Sequence, residues 1–262
     1  MNAPDRPTST EYLAQIRADA RRIAEVLAAG PVDAPVEACP DWTVGDLVGH
    51  LGGVHRWATH AVLHGERPPA IHGERPPAAS GQSSGDSDES TGSALGTWLV
   101  EGADALADTL APLADDAPAW NPFGTPQVSA FWSRRQAHET MVHRWDVEAA
   151  MGDTTPLPPE LASDGIDELF EVIVPRNADR GSIVLPDESL HVHCTDVPGE
   201  WLLWNEDAQL VMRREHAKGA AAVRGPAASL VLLLWGRTNL LDEAIDVVGD
   251  VDVAAQWSRL TS

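Results

Sequence analysis

The chain has 262 residues, 43% of them hydrophobic, with 40 acidic against 18 basic side chains and a formal charge of -22. That length and apolar content suit a globular protein of two domains, while the lack of Lys/Arg clusters excludes nucleic acid as a partner, because phosphate binding rests on them. No run approaches the roughly 18 apolar residues of a membrane span. The N-terminus lacks a secretory leader pattern, and Cys39 and Cys194 have no CxxC partner, so a reduced, cytoplasmic protein is expected.

In chain order, apolar residues at Leu13, Ile16, Ala20, Ile23 and Leu27 predict an amphipathic helix from Ser9 or Thr10 that stops at Gly30-Pro31. A second helix opens at Thr43 as N-cap, with Asp46 as its capping-box partner, and runs to about His64. Its inward stripe is Leu47, His50, Leu51, Val54, Trp57, Ala58 and Ala61, with Arg56 and His60 opposite and His55 at the margin. Residues 64–94 read as a flexible surface loop, because His64-Gly65-Glu66-Arg67-Pro68-Pro69-Ala70 recurs from His72 to Ala78 and the following stretch is rich in Ser, Gly and Asp. A third helix buries Leu95, Trp98, Leu99, Leu106, Leu110 and Leu113, and a fourth spans about Gln127 to Met151. Residues 1–151 are thus expected to form an antiparallel four-helix bundle with one long connection.

The prolines of Gly152–Pro159 mark a linker, and 160–262 reads as a small α+β domain with a mainly antiparallel sheet. A helix from about Pro159 to Val174 comes first. Leu190–Thr195 alternates with period two and turns at Asp196-Val197-Pro198-Gly199 into Trp201–Trp204; further strands are expected at Gln209–Arg213, Ala220–Arg224 and Ile245–Val248, with an apolar helix between Pro226 and Gly236 and a last helix reaching Leu260.

The fourth helix is chemically unusual. Residues three, four and seven apart share a helix face, so Trp132, Gln136, Glu139, His143, Asp146 and Ala150 form one stripe, carboxylate and imidazole where Leu and Val would be ordinary. Glu139 and His143, one turn apart, can supply two metal ligands, and His50 on the second helix is the natural third; a catalytic site keeps three protein ligands and an open position. Asp146 either orients the ligand imidazole from behind or is an exposed helix carboxylate pairing near Arg144. The protease pattern of two histidines four apart does not apply, because His138 and His143 are five apart and point about 140° away from each other. A plainer account stays open on chemistry alone: Glu139 pairs with Arg135, and His50 is a hydrogen-bonded core histidine. His191 and His193 share one strand face and read as a polar wall rather than a second metal site, and Cys39 as a small packing residue.

The segments Cys-Pro-Asp-Trp-Thr-Val-Gly-Asp-Leu-Val-Gly-His-Leu-Gly-Gly-Val-His-Arg-Trp at 39–57 and His-Glu-Thr-Met-Val-His-Arg-Trp-Asp at 138–146 resemble the mycothiol-dependent maleylpyruvate isomerase family, part of the wider DinB-like group of metal-binding helical bundles. Leu-His-Val-His-Cys-Thr-Asp-Val-Pro-Gly-Glu-Trp and Val-Arg-Gly-Pro-Ala are similar to that family's second domain. The resemblance implies a divalent ion, usually zinc, at His50, Glu139 and His143. It departs from the family pattern at Asp41, where Gly is frequent, and in the longer, duplicated 64–94 stretch. It further implies that mycothiol, activated as a nucleophile, either isomerises an electrophilic cis double bond of the maleylpyruvate type or is transferred to the substrate. Arg237, Arg224 and Arg135 are the candidate cations for the substrate's anionic groups. Two other functions remain in view: a hydrolase acting through metal-bound water, and a binding protein whose metal is structural.

Overall fold

The computed structural model describes residues 6–68 and 88–261. By its internal contacts the chain divides into Thr8–Thr155 and a second unit of Pro156–Ser262 together with Met1–Pro7.

The first unit is a four-helix bundle of α1 (Ser9–Ala29), α2 (Val44–His64), α3 (Asp88–Leu110) and α4 (Ser129–Ala150). Both of the first two helices open with a capping box, Thr8 with Glu11 and Thr43 with Asp46, which satisfies backbone N–H groups that the helix itself leaves unpaired. Side-chain contacts fix the directions. Arg17 meets Asp104 and Gly96 lies against Ala24, so α1 and α3 are antiparallel. Tyr12 packs on His138 while Arg22 reaches Glu148, so α1 and α4 are parallel. His55 meets Thr140 and Trp57 meets Trp132, making α2 and α4 antiparallel, whereas Gly52 meets Trp98 and Gly102 meets Arg56, making α2 and α3 parallel. The order is up, down, down, up. No short hairpin can join α2 to α3 in such a bundle, which accounts for the long connection there.

Three expectations for this unit need correction. The predicted loop 64–94 falls, over 69–87, outside the described residues, but 88–94 belongs to α3 despite its Ser/Thr/Gly composition. Packing explains this: a Cβ on Gly92 would come within 2.2 Å of the Leu27 carbonyl oxygen, so the missing side chain lets α3 close on α1. Leu113 lies beyond the end of α3 and is exposed. On α2 the marginal His55 is fully buried, while His50 and Trp57 are half-buried. Because α2 is flanked by both α3 and α4, its buried arc is wider than one stripe and takes in Val48, Gly52, His55 and Val62.

In the second unit α5 (Pro159–Glu168) passes through a π-helical turn, Leu169–Ile173, into α6 (Val174–Asp179). The expected stop at Val174, before Pro175, does not occur. A proline ring clashes with the carbonyl four residues back in a regular helix, and the wider turn, in which the Val174 N–H bonds to the Leu169 carbonyl, makes room for it. Arg6 and Arg214 pair with Asp167 and Glu171 and so tie residues 6–7 to this unit. The sheet consists of β1 (Leu190–Cys194), β2 (Glu200–Glu206), β3 (Gln209–Arg213), β4 (Ala221–Gly225) and β5 (Asp246–Gly249) in the order β3-β2-β1-β4-β5. All pairs are antiparallel except β1 with β4, as expected of a mainly antiparallel sheet. Leu190, Val192, Trp201, Leu203, Ala221 and Val223 are buried on one face of this sheet, which is packed by α7 (Ala227–Leu234) and α8 (Val251–Trp257). The alternation that buries them sends His191, His193, Glu200 and Arg224 to the other face.

Among the described residues no helix is long and apolar enough to cross a membrane. Neither Cys39 nor Cys194 is in a disulfide; the first is half-buried and the second buried, where loss of solvation pushes its pKa up to about 12.

Candidate metal centre

Helix α4 is polar yet largely inside the bundle: Arg135, Gln136, His138, Thr140, Arg144, Asp146 and Glu148 are all buried. Ion pairs and hydrogen bonds within the bundle take up much of this polarity. Arg144 forms ion pairs with Asp19 at 2.8 Å and Glu148 at 2.6 Å, and Glu148 also accepts from Arg22 and from the Thr155 N–H. His55 donates to Thr140 at 2.9 Å, while the Thr140 hydroxyl donates to the Gln136 carbonyl at 2.6 Å. This bond ties α2 to α4 beside Glu139 and sets their register.

With that register, His50 from α2 meets Glu139 and His143 from α4. Glu139 Oε1 is 3.3 Å from His143 Nε2 and 3.7 Å from His50 Nε2, and one ligand atom from each of the three lies within 4.8 Å of the others. The two imidazole rings stand at 88°, 6.0 Å apart. The remaining donor atoms of Glu139 and His143 are already committed. Glu139 Oε2 accepts from Arg135 at 2.7 Å, and His143 Nδ1 donates to Asp146 at 2.9 Å, so that Oε1 and Nε2 are the atoms turned toward the shared space. Two imidazole nitrogens and a carboxylate oxygen are the donor set of a divalent ion of zinc type, and the structure thus leaves one lone pair from each residue for it. Both accounts of Glu139 hold together: it pairs with Arg135 through one oxygen and faces the histidines through the other.

The electrostatics follow from these contacts. Burial alone would raise the Glu139 pKa, but the facing imidazoles of His143 and His50 and the Arg135 guanidinium outweigh it and hold the carboxyl well below the usual range. Burial would lower His143; Asp146 and Glu139 overcome it and lift the ring to about 9. A bound ion would take the place of that proton, since the neutral ring is the ligand.

Of the other predicted residues, Asp146 stands behind His143 with a fully buried side chain. Arg135 is buried against Glu139. Arg224 and Arg237 lie in the second unit, where Arg224 faces Asp246 at 3.8 Å and Arg237 donates to the Trp235 carbonyl. His138 packs edge-on against Tyr12. Trp42 is a site residue that the sequence does not single out: its ring leans on His50 at 5.1 Å while staying 36% exposed. The one signal for it was its place between Pro40 and the Thr43 cap, within the segment that carries the family resemblance.

Comparison with known proteins places the chain. Residues 13–148 match the family model for the mycothiol maleylpyruvate isomerase N-terminal domain, and residues 160–256 match the model for the C-terminal domain of the same proteins. A crystal structure of mycothiol-dependent maleylpyruvate isomerase superposes with a TM-score of 0.56 at 15% identity, over 92% of this chain and 93% of that one. A histidine-to-alanine mutant of that isomerase gives 0.57 at 14% identity over the same shares. At such identity these two matches speak for the fold. No curated protein sequence matches the chain. The two domain models, one spanning more than half of the chain, show that it belongs to the mycothiol maleylpyruvate isomerase family.

Proposed function

We propose that this protein is a zinc-dependent enzyme that uses mycothiol as a nucleophile toward a small electrophile, isomerising a cis double bond of the maleylpyruvate type. The observation that supports the reading is the convergence of His50, Glu139 and His143, with the other donor atoms of Glu139 and His143 already engaged, in a chain of this family. His50 Nε2, Glu139 Oε1 and His143 Nε2 would hold the ion. When bound, a divalent ion draws a coordinating thiol to its thiolate at neutral pH.

The chain's own residues prepare that chemistry. Asp146 keeps the hydrogen of His143 on Nδ1 and turns its Nε2 lone pair inward. Arg135 pins the Glu139 carboxylate plane and spares one oxygen for the site. Trp42 packs against His50 and, being partly exposed, gives the site an apolar wall open to solvent. The His55–Thr140 bond joins α2 to α4 next to the level of Glu139 and His143.

The test is turnover of maleylpyruvate by the zinc-loaded protein with and without mycothiol. Isomerisation that requires the thiol and returns it unchanged is expected. Equal turnover without thiol overturns the reading in favour of a hydrolase, and stoichiometric consumption of thiol reassigns the chain to an S-transferase.

A further inference from the structure

A second convergence lies on the face of the C-terminal sheet opposite α7 and α8. His191 and His193, two apart on β1, project to the same side, and Glu200 of β2 is the antiparallel neighbour of His193. The segment after β3 brings in His216. It can lie close because Gly219 has no side chain: a Cβ there would sit 2.9 Å from the His191 backbone nitrogen and 2.7 Å from the Ala221 carbonyl oxygen. One ligand atom from each of the four residues falls within 4.8 Å of all the others. Glu200 Oε1 takes His193 Nδ1 at 2.7 Å and His216 Nδ1 at 3.2 Å. The His191 ring stands at 90° to both other imidazoles, at 5.9 and 5.3 Å.

An ion pair between His193 and Glu200 does not account for this cluster. His191 is 95% buried, with 5% of its surface exposed, and its Nε2 has no hydrogen-bond partner; Glu200 Oε2 is also buried without one. A buried polar atom left without a partner is costly, and a bound cation would satisfy both. Three imidazoles also crowd a single negative charge, so protonating a second or third ring is opposed by the first.

We propose that His191, His193, Glu200 and His216 form a second divalent-metal site, of zinc type, within the C-terminal unit. Three nitrogens and one carboxylate oxygen supply the four protein donors that a closed structural site uses. The ion clamps β1, β2 and the β3–β4 connection together on the sheet face opposite α7 and α8. The first candidate site leaves a coordination position for chemistry; this one has no such vacancy and is independent of the proposed activity.

The full-length chain, freed of metal with a chelator, is titrated with Zn2+ by calorimetry, with elemental analysis after dialysis. Wild type should bind about two equivalents, and the double variant His50→Ala, Glu139→Gln about one. Adding His191→Ala or His193→Ala to that double variant should weaken the remaining equivalent by at least about 100-fold. Because a core histidine variant can fail to fold, His216→Gln, in an exposed segment, serves as the second probe; loss of tight Zn2+ binding with an unchanged circular dichroism spectrum supports the site. Co2+ bound to the double variant should give the visible bands of a four-coordinate ion. A folded double variant that binds no Zn2+, or one whose binding ignores His191→Ala, His193→Ala and His216→Gln alike, overturns the proposal.

Discussion

His55→Gln isolates the energetic consequence of one buried imidazole. His55 is fully buried on α2, and loss of solvation pulls its pKa from 6.5 to about 3, against the weaker pull of Glu139. Thr140 spends its own hydrogen on the Gln136 carbonyl, so His55 Nε2 must be the donor in their shared bond. The unfolded chain takes up a proton at this position as pH falls below 6.5, whereas the folded chain does not until about 3. A depressed folded pKa means that the stability is present in full above 6.5 and is lost as pH falls toward 3. At about 1.36 kcal/mol per unit, this one ring accounts for a loss of about 2 kcal/mol between pH 7.5 and pH 5.0. Glutamine can still donate to Thr140 but does not titrate. Urea denaturation of the apoprotein, followed by far-ultraviolet circular dichroism at both pH values, should therefore show wild type losing about 2 kcal/mol more than His55→Gln over this interval. His143 titrates in the same range with the opposite sign, and comparing the two proteins cancels its contribution. Equal pH slopes for both would refute the reasoning.

Three further outcomes are expected. Asp146→Asn leaves His143 Nδ1 facing an uncharged, flippable amide, so Zn2+ affinity at the bundle site should fall about 10–100-fold with the fold intact, read by metal titration; an unchanged affinity would remove Asp146 from the site. Because His143 is lifted to about 9, it is protonated at pH 7 in the apoprotein, and loading Zn2+ there should release about one proton. Calorimetry in two buffers of different ionisation enthalpy measures it, and identical heats would contradict the proposed ligation. Gly52→Ala drives a Cβ to within 2.2 Å of the Trp98 ring, which is itself held under Arg56, so a loss of about 1–3 kcal/mol is expected in thermal or urea melts; a neutral result would mean that α2 and α3 can part freely.

What the sequence discloses depends on how local the cause is. The caps at Thr43 and Asp46, the alternation of β1 and the i, i+4 spacing of Glu139 and His143 are set within one or two turns of chain, and they are legible directly. His50 could be selected because it was the one titratable group on its stripe. The start of α3 was hidden, since Gly92 is favourable there only for its fit against Leu27, a neighbour 65 positions away. The burial of His55 was hidden for the same reason: it depends on Thr140 of another helix. The family's glycine at position 41 has a local physical meaning, because Asp41 has φ 69°, in the left-handed region that favours Gly. His191 and His193 were visible as a pair, but Glu200 joins them through sheet register and His216 through a connection laid over β1, and neither follows from spacing.

The division of Glu139 between Arg135 and the two histidines also bears on how anions would reach the site. Glu139 and Asp146 bring two negative charges, Arg135 returns one positive, and a divalent ion in the proposed position would leave the locality with a net single positive charge, embedded in a molecule of formal charge -22. A thiolate or carboxylate would be repelled at long range and attracted only in the last few ångströms. Added salt screens the distant repulsion before it weakens the close contact, so capture of an anionic ligand should become faster as ionic strength rises from low values, the reverse of ordinary electrostatic steering.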